Sequence, residues 1–436
     1  MISDRVTHLG AIGCAVTVAV APFIASAQDD PGQLPYARPR ETMIPGRPGM
    51  AGGYHVMVNA YGHAQNLGLD GTPIANPDIR TYDGGSTYPF LSGDWIMGYA
   101  REARGWVEAL LMVNLEPLTL GNSGIAELGQ SGEGLVDVQH PHLLLHQAMV
   151  AFHPLSGTTL GAASMGHEGE IDLSIFAGQG SATIGPPIFM HRASSPGPTV
   201  PRKHHKGENP HETSPVLGAS FRWRGTWLEA SVFGARELRP ADSRFYPHPS
   251  APVSFAARAR QDVAGILELQ VSGERLRDQG GGEPDAWQAS ASAYATWRFR
   301  GWRFDALGDW AIDVPDGEDH APMGALAELA ARDPLRRDVL WARVELNQRE
   351  ENAAGAVPPL VEVSSPWWFA TLGFERVVLA SHAAGLQLGL FGEVTYVSIP
   401  SELELVYGHG HAVTVNVGLH LFGMWMLDSA LGRMEH

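Results

Sequence analysis

The feature that most constrains this chain is an alternation of apolar and polar residues with period two. It recurs in runs of about ten residues from Tyr54 to near the C-terminus. Between Trp106 and Glu116, Val107, Ala109, Leu111 and Val113 fall on one face and Glu108, Leu110, Met112 and Asn114 on the other. Leu267, Leu269 and Val271 oppose Glu268, Gln270, Ser272 and Glu274. Leu340, Ala342 and Val344 oppose Trp341, Arg343 and Glu345, and Val413 to Leu421 oppose Thr414, Asn416 and His420. Successive side chains of a strand point to opposite faces, so each run is a strand with one apolar and one polar side. Strands of globular proteins average about 5–6 residues. About 9–11 are needed for a tilted strand to cross a bilayer.

The runs come in pairs. Tight turns join neighbours at Glu102 to Gly105, Arg224-Gly225 and Arg300-Gly301. Long polar loops separate the pairs at Ala64 to Ser92, Pro117 to Gln139, Gly178 to Pro215 and Leu238 to Pro252. Short turns at one end and long loops at the other mark an all-β, antiparallel transmembrane barrel. About 14–16 strands are expected, an even number for a single-chain bacterial barrel. Stretches near Ser156 to Ala163, Ile171 to Ala177, Val253 to Arg260 and Ala321 to Ala330 leave the count open. Trp95, Trp106, Trp223, Trp227, Trp297, Trp302, Trp367 and Trp368 fall near strand ends, as aromatic girdles would. The alternatives are a large soluble sandwich, one that binds glycans, and a propeller. A propeller would repeat a motif in every blade, and the chain has no such repeat.

Charge and cysteine usage narrow the partners. Charged residues make up 18% of the chain, against about 25% in soluble proteins. The net charge of −17 and the lack of a basic patch exclude nucleic-acid binding. Membrane lipid and small solutes or ions are the expected partners. Met1 to Ala27 reads as a secretory signal peptide, with Arg5, an apolar run to Ile24 and an Ala25-Ser26-Ala27 cleavage site. Cys14, the one cysteine, lies within it, so the mature chain has no thiol chemistry. The expected organisation is a signal peptide over 1–27, a Pro/Gly-rich arm over 28–52, the barrel over 53–422 and a tail over 423–436.

Several stretches carry a resemblance. Leu135-Val136-Asp137-Val138-Gln139-His140-Pro141-His142 is similar to a loop motif LVDxQHPHD. Gly185 to Arg192 is similar to GPPxFMHR, and His204-His205 with His211-Glu212-Thr213 to an HH…HxT element. Glu229 to Glu237 is similar to EGSxFxGREP, and Ser398 to Gly408 also fits. On these stretches the chain resembles a group of porin-like outer-membrane β-barrels of Gram-negative bacteria. The resemblance implies that location and fold, and no settled activity. Leu143 stands where the motif has Asp.

Three constellations could carry chemistry. His140, His142, His191, His204, His205 and His211 are dense in two loops, and His146 follows the first on a strand. Imidazoles converging at a barrel rim could bind a divalent or copper ion, with Met190 as a soft ligand, though no fixed metal-ligand spacing is present. The alternative is that they hydrogen-bond loop backbone and nearby carboxylates. Second, Glu108, Glu229, Glu268, Glu274, Asp305, Asp309, Glu345 and Glu393 are expected to face the lumen with Arg298, Arg303 and Arg343. They would form either a bracing ionic lattice or an acid-rich pore that favours cations. Third, Ser156, Ser164 and Ser174 lie near His153, His167, Glu170 and Asp172 in sequence. No nucleophile elbow accompanies them, so the chain is expected to be no enzyme, with a rim-sited hydrolase and a closed structural barrel as rivals to a solute pore.

Overall fold

The computed structural model describes residues 53–67, 86–101, 107–114, 144–155, 171–185, 214–223, 225–235, 253–264, 266–277, 284–317, 321–333, 338–348, 365–381, 386–398, 400–403 and 410–427. Sixteen antiparallel strands close on themselves, each bonded to its neighbour in sequence and the last to the first. They are β1 (Gly53–Leu67), β2 (Ser86–Arg101), β3 (Val107–Asn114), β4 (Leu145–Leu155), β5 (Ile171–Gly180), β6 (Ser214–Trp223), β7 (Thr226–Phe233) and β8 (Ser254–Val263). Then follow β9 (Leu267–Leu276), β10 (Ala286–Phe299), β11 (Trp302–Pro315), β12 (Met323–Arg332), β13 (Asp338–Asn347), β14 (Trp367–Ser381), β15 (Leu386–Ser398) and β16 (His411–Leu427). Closure leaves no strand edge unpaired.

The alternation read from sequence is realised as an apolar outside and a polar inside. Leu111, Val150, Leu217, Val271 and Leu372 stand outward and exposed, Leu372 at 65%. Their strand neighbours Leu110, Ala151, Val216, Gln270 and Thr371 are buried on the inner face. A soluble sandwich would bury the apolar set; here it faces the surroundings, as a lipid-facing wall requires.

The expected Arg300-Gly301 turn joins β10 to β11, where Phe299 pairs with Trp302. Both turn residues have positive φ, 52° and 82°, which lets a two-residue turn follow the strand twist. Three of the four open stretches are strands, namely β5, β8 and β12; 156–163 lies outside the described residues.

Two expectations change. The final strand runs past Phe422 to Leu427, with Trp425 opposite Val56 and Met426 opposite His55. Residues 421–427 read Leu-Phe-Gly-Met-Trp-Met-Leu, with no polar residue among them, so the alternation that marks a strand in the sequence is lost there. The girdle holds only in part. Trp223 and Trp368 are exposed outward, but Trp227 and Trp367 turn inward and are buried.

Candidate functional site

The inner face of β5 to β15 interleaves charged and polar side chains with buried apolar ones such as Phe176, Leu326 and Phe369, and two features organise its polar part. The first is an inward segment. After β5 the chain does not leave the barrel at once: residues 182–185 are buried against the inner wall. Thr183 donates its N–H to Ser231 Oγ on β7 at 3.1 Å and its hydroxyl to the Ala256 carbonyl on β8. Gly185 N–H donates to Ser272 Oγ on β9 at 2.9 Å. Arg258 Nη1 donates to the carbonyl of Gly185 at 2.9 Å. The segment therefore crosses the inside of β7, β8 and β9, held by backbone groups that the wall satisfies. It opens the long 178–215 loop that the sequence marked, and Gly185 is the first residue of the motif at 185–192.

The second feature is a lattice of charge. Arg258 and Arg260 on β8 both donate through Nε to Glu229 Oε2 on β7, at 2.8 and 3.1 Å. The Arg260 guanidinium also lies over Trp227, 4.4 Å from the ring centre, and Arg222 approaches the same indole at 5.1 Å. Both are cation–π contacts. Arg343 on β13 donates to Glu345 at 2.7 Å and to Glu328 at 3.4 Å. Asp305 accepts from Arg303 at 2.9 Å and from the Tyr294 hydroxyl at 2.5 Å. Removing one partner of such a buried pair leaves an uncompensated charge.

Several inward side chains lie flat over a glycine on the next strand. Trp341 on β13 passes over Gly373 on β14 and donates Nε1–H to Glu393 on β15 at 3.2 Å. Glu375 on β14 passes over Gly389 on β15 to His420 on β16, 2.9 Å from Nδ1. Phe176 covers Gly218, and Met149 covers Gly180, in the same sense.

Of the lumen set named from sequence, Glu229, Arg343 and Glu345 are buried on the inner wall and joined by the pairs above. Glu108 sits in β3 opposite Arg101 and Ala151; its side chain lies outside the described residues. Glu268, Glu274, Asp305, Asp309 and Glu393 are buried on the same wall, whereas Arg298 is exposed near the end of β10. His140, His142, His191, His204, His205 and His211 lie outside the described residues. His146 falls at an irregularity in β4, where Met112 pairs with Gln147 and Val113 with Leu145. Among the described residues, no three His, Cys, Asp or Glu side chains come together in a way that could hold a metal.

Of the hydrolase set, His153 Nδ1 meets Asp172 Oδ1 at 3.1 Å near the short-turn end. His153 is 0% exposed and Ser174 is 1% exposed, so the wall closes over both. Ser156, Ser164, His167 and Glu170 lie outside the described residues. Sequence reading missed Arg258, Arg260, Glu328, Arg332, Glu375 and the His420 pairing. Arg258 and Arg260 alternate with alanines in β8, a signal present in Ala257-Arg258-Ala259-Arg260 but faint in hydropathy.

At the rim a buried arginine meets an exposed carboxylate. Arg275 donates to Asp316 through Nη1 at 2.9 Å, and Nη2 reaches the second oxygen. These hydrogen bonds hold the Asp316 carboxyl below the usual carboxylate range.

No protein-family model matches the chain, and no curated protein matches it. Solved structures of similar shape include an anion-selective porin of Comamonas acidovorans, 10% identical over 85% of this chain and 99% of that one, at a TM-score of 0.45. OprB of Pseudomonas putida is 10% identical over 86% of this chain and 94% of its own, at 0.49. The outer-membrane channel DcaP of Acinetobacter baumannii is 9% identical over 88% and 100%, at 0.45. At this level the likeness is one of general shape.

Proposed function

We propose that this chain is a porin-like barrel of the outer membrane that passes small solutes, with a preference for cations. The observation that carries it is the closed sixteen-strand wall, apolar outside and polar within. Ten buried carboxyl side chains stand against five buried guanidiniums among the described residues. An inner surface with more acid than base raises the local concentration of cations. The inward segment at 181–185 lies across one side of that path and would set its width there.

The test is reconstitution in planar bilayers under a KCl gradient. Stepwise conductance with a reversal potential of the sign for cation flow is the expected result. A reversal potential of the opposite sign would remove the cation preference. Absence of conductance from a barrel that fractionates with the outer membrane would leave a closed structural barrel.

Metal handling by the His-rich stretches is a separable part of the proposal. It is supported by the imidazole density at 140–142 and 191–211. Calorimetric titration with copper and zinc decides it. Equal uptake by wild type and by a variant with alanine at His140, His142, His204 and His205 would reject it.

A further inference from the structure

Toward the short-turn end of the inner wall, two buried polar side chains face each other without bonding. Arg260 on β8 stands directly opposite Gln270 on β9. Directly opposed residues share a face, with Cβ atoms about 4.5–5.5 Å apart. Arg260 is 2% exposed and Gln270 4%. Yet Arg260 Nη1 and Nη2, and both Nε2 and Oε1 of Gln270, have no hydrogen-bond partner among the described residues. Buried polar groups are ordinarily bonded, and the Gln270 carbonyl is a natural acceptor for the guanidinium.

The reason they stay apart lies on β7. Arg260 donates through Nε to Glu229 Oε2 at 3.1 Å, and its guanidinium lies over the Trp227 ring at 4.4 Å. Glu229 and Trp227 belong to the strand on the far side of Arg260 from Gln270. They hold the guanidinium toward β7 and leave its two terminal nitrogens unbonded. A guanidinium keeps its charge when buried, so it does not shed the need for acceptors by losing a proton.

The unmade bonds are unequal in kind. Arg260 Nη1 and Nη2 and Gln270 Nε2 all carry N–H groups in need of acceptors, against the one Gln270 oxygen in need of a donor. None of the carboxylates on the neighbouring strands bonds these nitrogens. Glu229 Oε2 already serves both Arg258 and Arg260. Glu268, two residues along β9, acts electrostatically on Arg258. Asp309 is two strands beyond Gln270, across Ser292.

We propose that Arg260 and Gln270 hold a compact anion of chloride size between them, enclosed in the inner wall. Such an ion accepts N–H groups from several directions and offers none in return, which matches the donor excess. Bonds to an ionised group are also stronger than the bonds to water that would otherwise serve here. Closure on all sides favours a monatomic ion over a carboxylate or phosphate solute, and the flexible Gln270 side chain can swing to admit it. The site makes no use of the His-rich stretches and does not depend on the barrel conducting.

The experiment uses the full chain folded in detergent and exchanged into gluconate, an anion too large for the site. Chloride is titrated in at constant ionic strength while thermal unfolding is followed. Crystals grown with bromide in place of chloride are examined by anomalous scattering. A saturable rise in melting temperature with chloride is expected, with a bromide peak between Arg260 and Gln270. Gln270→Glu supplies a carboxylate to Arg260 from the chain itself. That variant should lose both the chloride dependence and the bromide peak, and should be as stable in gluconate as wild type is in chloride. Equal melting of wild type in chloride and gluconate overturns the site and leaves ordered water as the occupant. A chloride effect that persists unchanged in Gln270→Glu also overturns it, since the ion then acts elsewhere. If Gln270→Glu does not fold, the bromide peak in wild type decides: its presence between the two side chains supports the site and its absence overturns it.

Discussion

Glu375 and His420 meet two strands apart, both carboxylate oxygens lying within 3.1 Å of the His420 Nδ1. The contact exists because Gly389 stands between them: a Cβ built there would fall against the Glu375 carboxylate. Gly389→Ala therefore displaces the far end of a flexible side chain and breaks the pair. The expected loss is about 1–3 kcal/mol, the usual cost of a buried polar contact left unmade. Urea unfolding in detergent measures it. Combining Gly389→Ala with His420→Gln should cost clearly less than the sum of the two; additivity would mean that the glycine serves some other purpose.

Gly373 presents the same arrangement with a stiffer neighbour. A Cβ there would fall inside the Trp341 indole, which is 1% exposed and has no flexible end to yield. Gly373→Ala is expected to cost more than Gly389→Ala, by the route of overpacking. Trp341→Phe removes the hydrogen bond to Glu393, at about 1–3 kcal/mol, and adds the cost of the void left by the indole's second ring. A ranking with Gly389→Ala as the costlier glycine change would contradict this account.

Arg258 joins the inward segment to the wall. Replacing it with Met removes the bonds to Gly185 and Glu229 and leaves Glu229 with Arg260 alone among the two arginines that donate to it. Breaking a buried pair costs about 3–5 kcal/mol; here one cation remains, so the lower end is expected. The sharper readout is hydrogen exchange. Protection of the Thr183 and Gly185 amides, which are bonded to Ser231 and Ser272, should fall in Arg258→Met while β12 and β13 amides keep theirs. Unchanged protection at both amides would show that the wall hydroxyls suffice.

The Arg275–Asp316 pair gives a pH dependence of known sign. The folded carboxyl lies below its ordinary value because Arg275 bonds its ionised form. Its contribution is therefore complete above the unfolded carboxylate's pKa, near 4, and is lost as pH falls through the lower, folded value. The stability gap between wild type and Asp316→Asn should be small at pH 7, since the pair is half exposed, and should close as pH falls below about 4. Urea midpoints at successive pH values test this; a gap that widens in acid would refute it.

Strand existence and facing were legible wherever one side was polar. Glu268, Gln270 and Glu274 against Leu269 and Val271 announce both the strand and its inward face. The signal failed where chemistry is mixed on a face. In β12, Leu326 and Ala330 share the inward side with Glu328 and Arg332, so Glu328 was not placed beside Arg343. In β14, Trp367 and Phe369 share it with Glu375. Pairings such as Glu375–His420 are set by barrel register over long separations, and no local pattern carries register. The inward course of 181–185 depends on hydroxyls from β7 and β9, which sequence spacing does not bring together.

The side chains that lie over glycines all lean one way around the wall, each toward the next strand in sequence. Trp341, Phe176 and Met149 thus spend their bulk along the circumference and not along the radius. The space inside the wall is governed by its smallest residues. Shrinking Trp341 would enlarge that space little, because its ring already rests on the wall. Adding a single methyl at Gly373 would lift that ring off the wall toward the barrel axis, so any redesign of the interior should begin at the glycines.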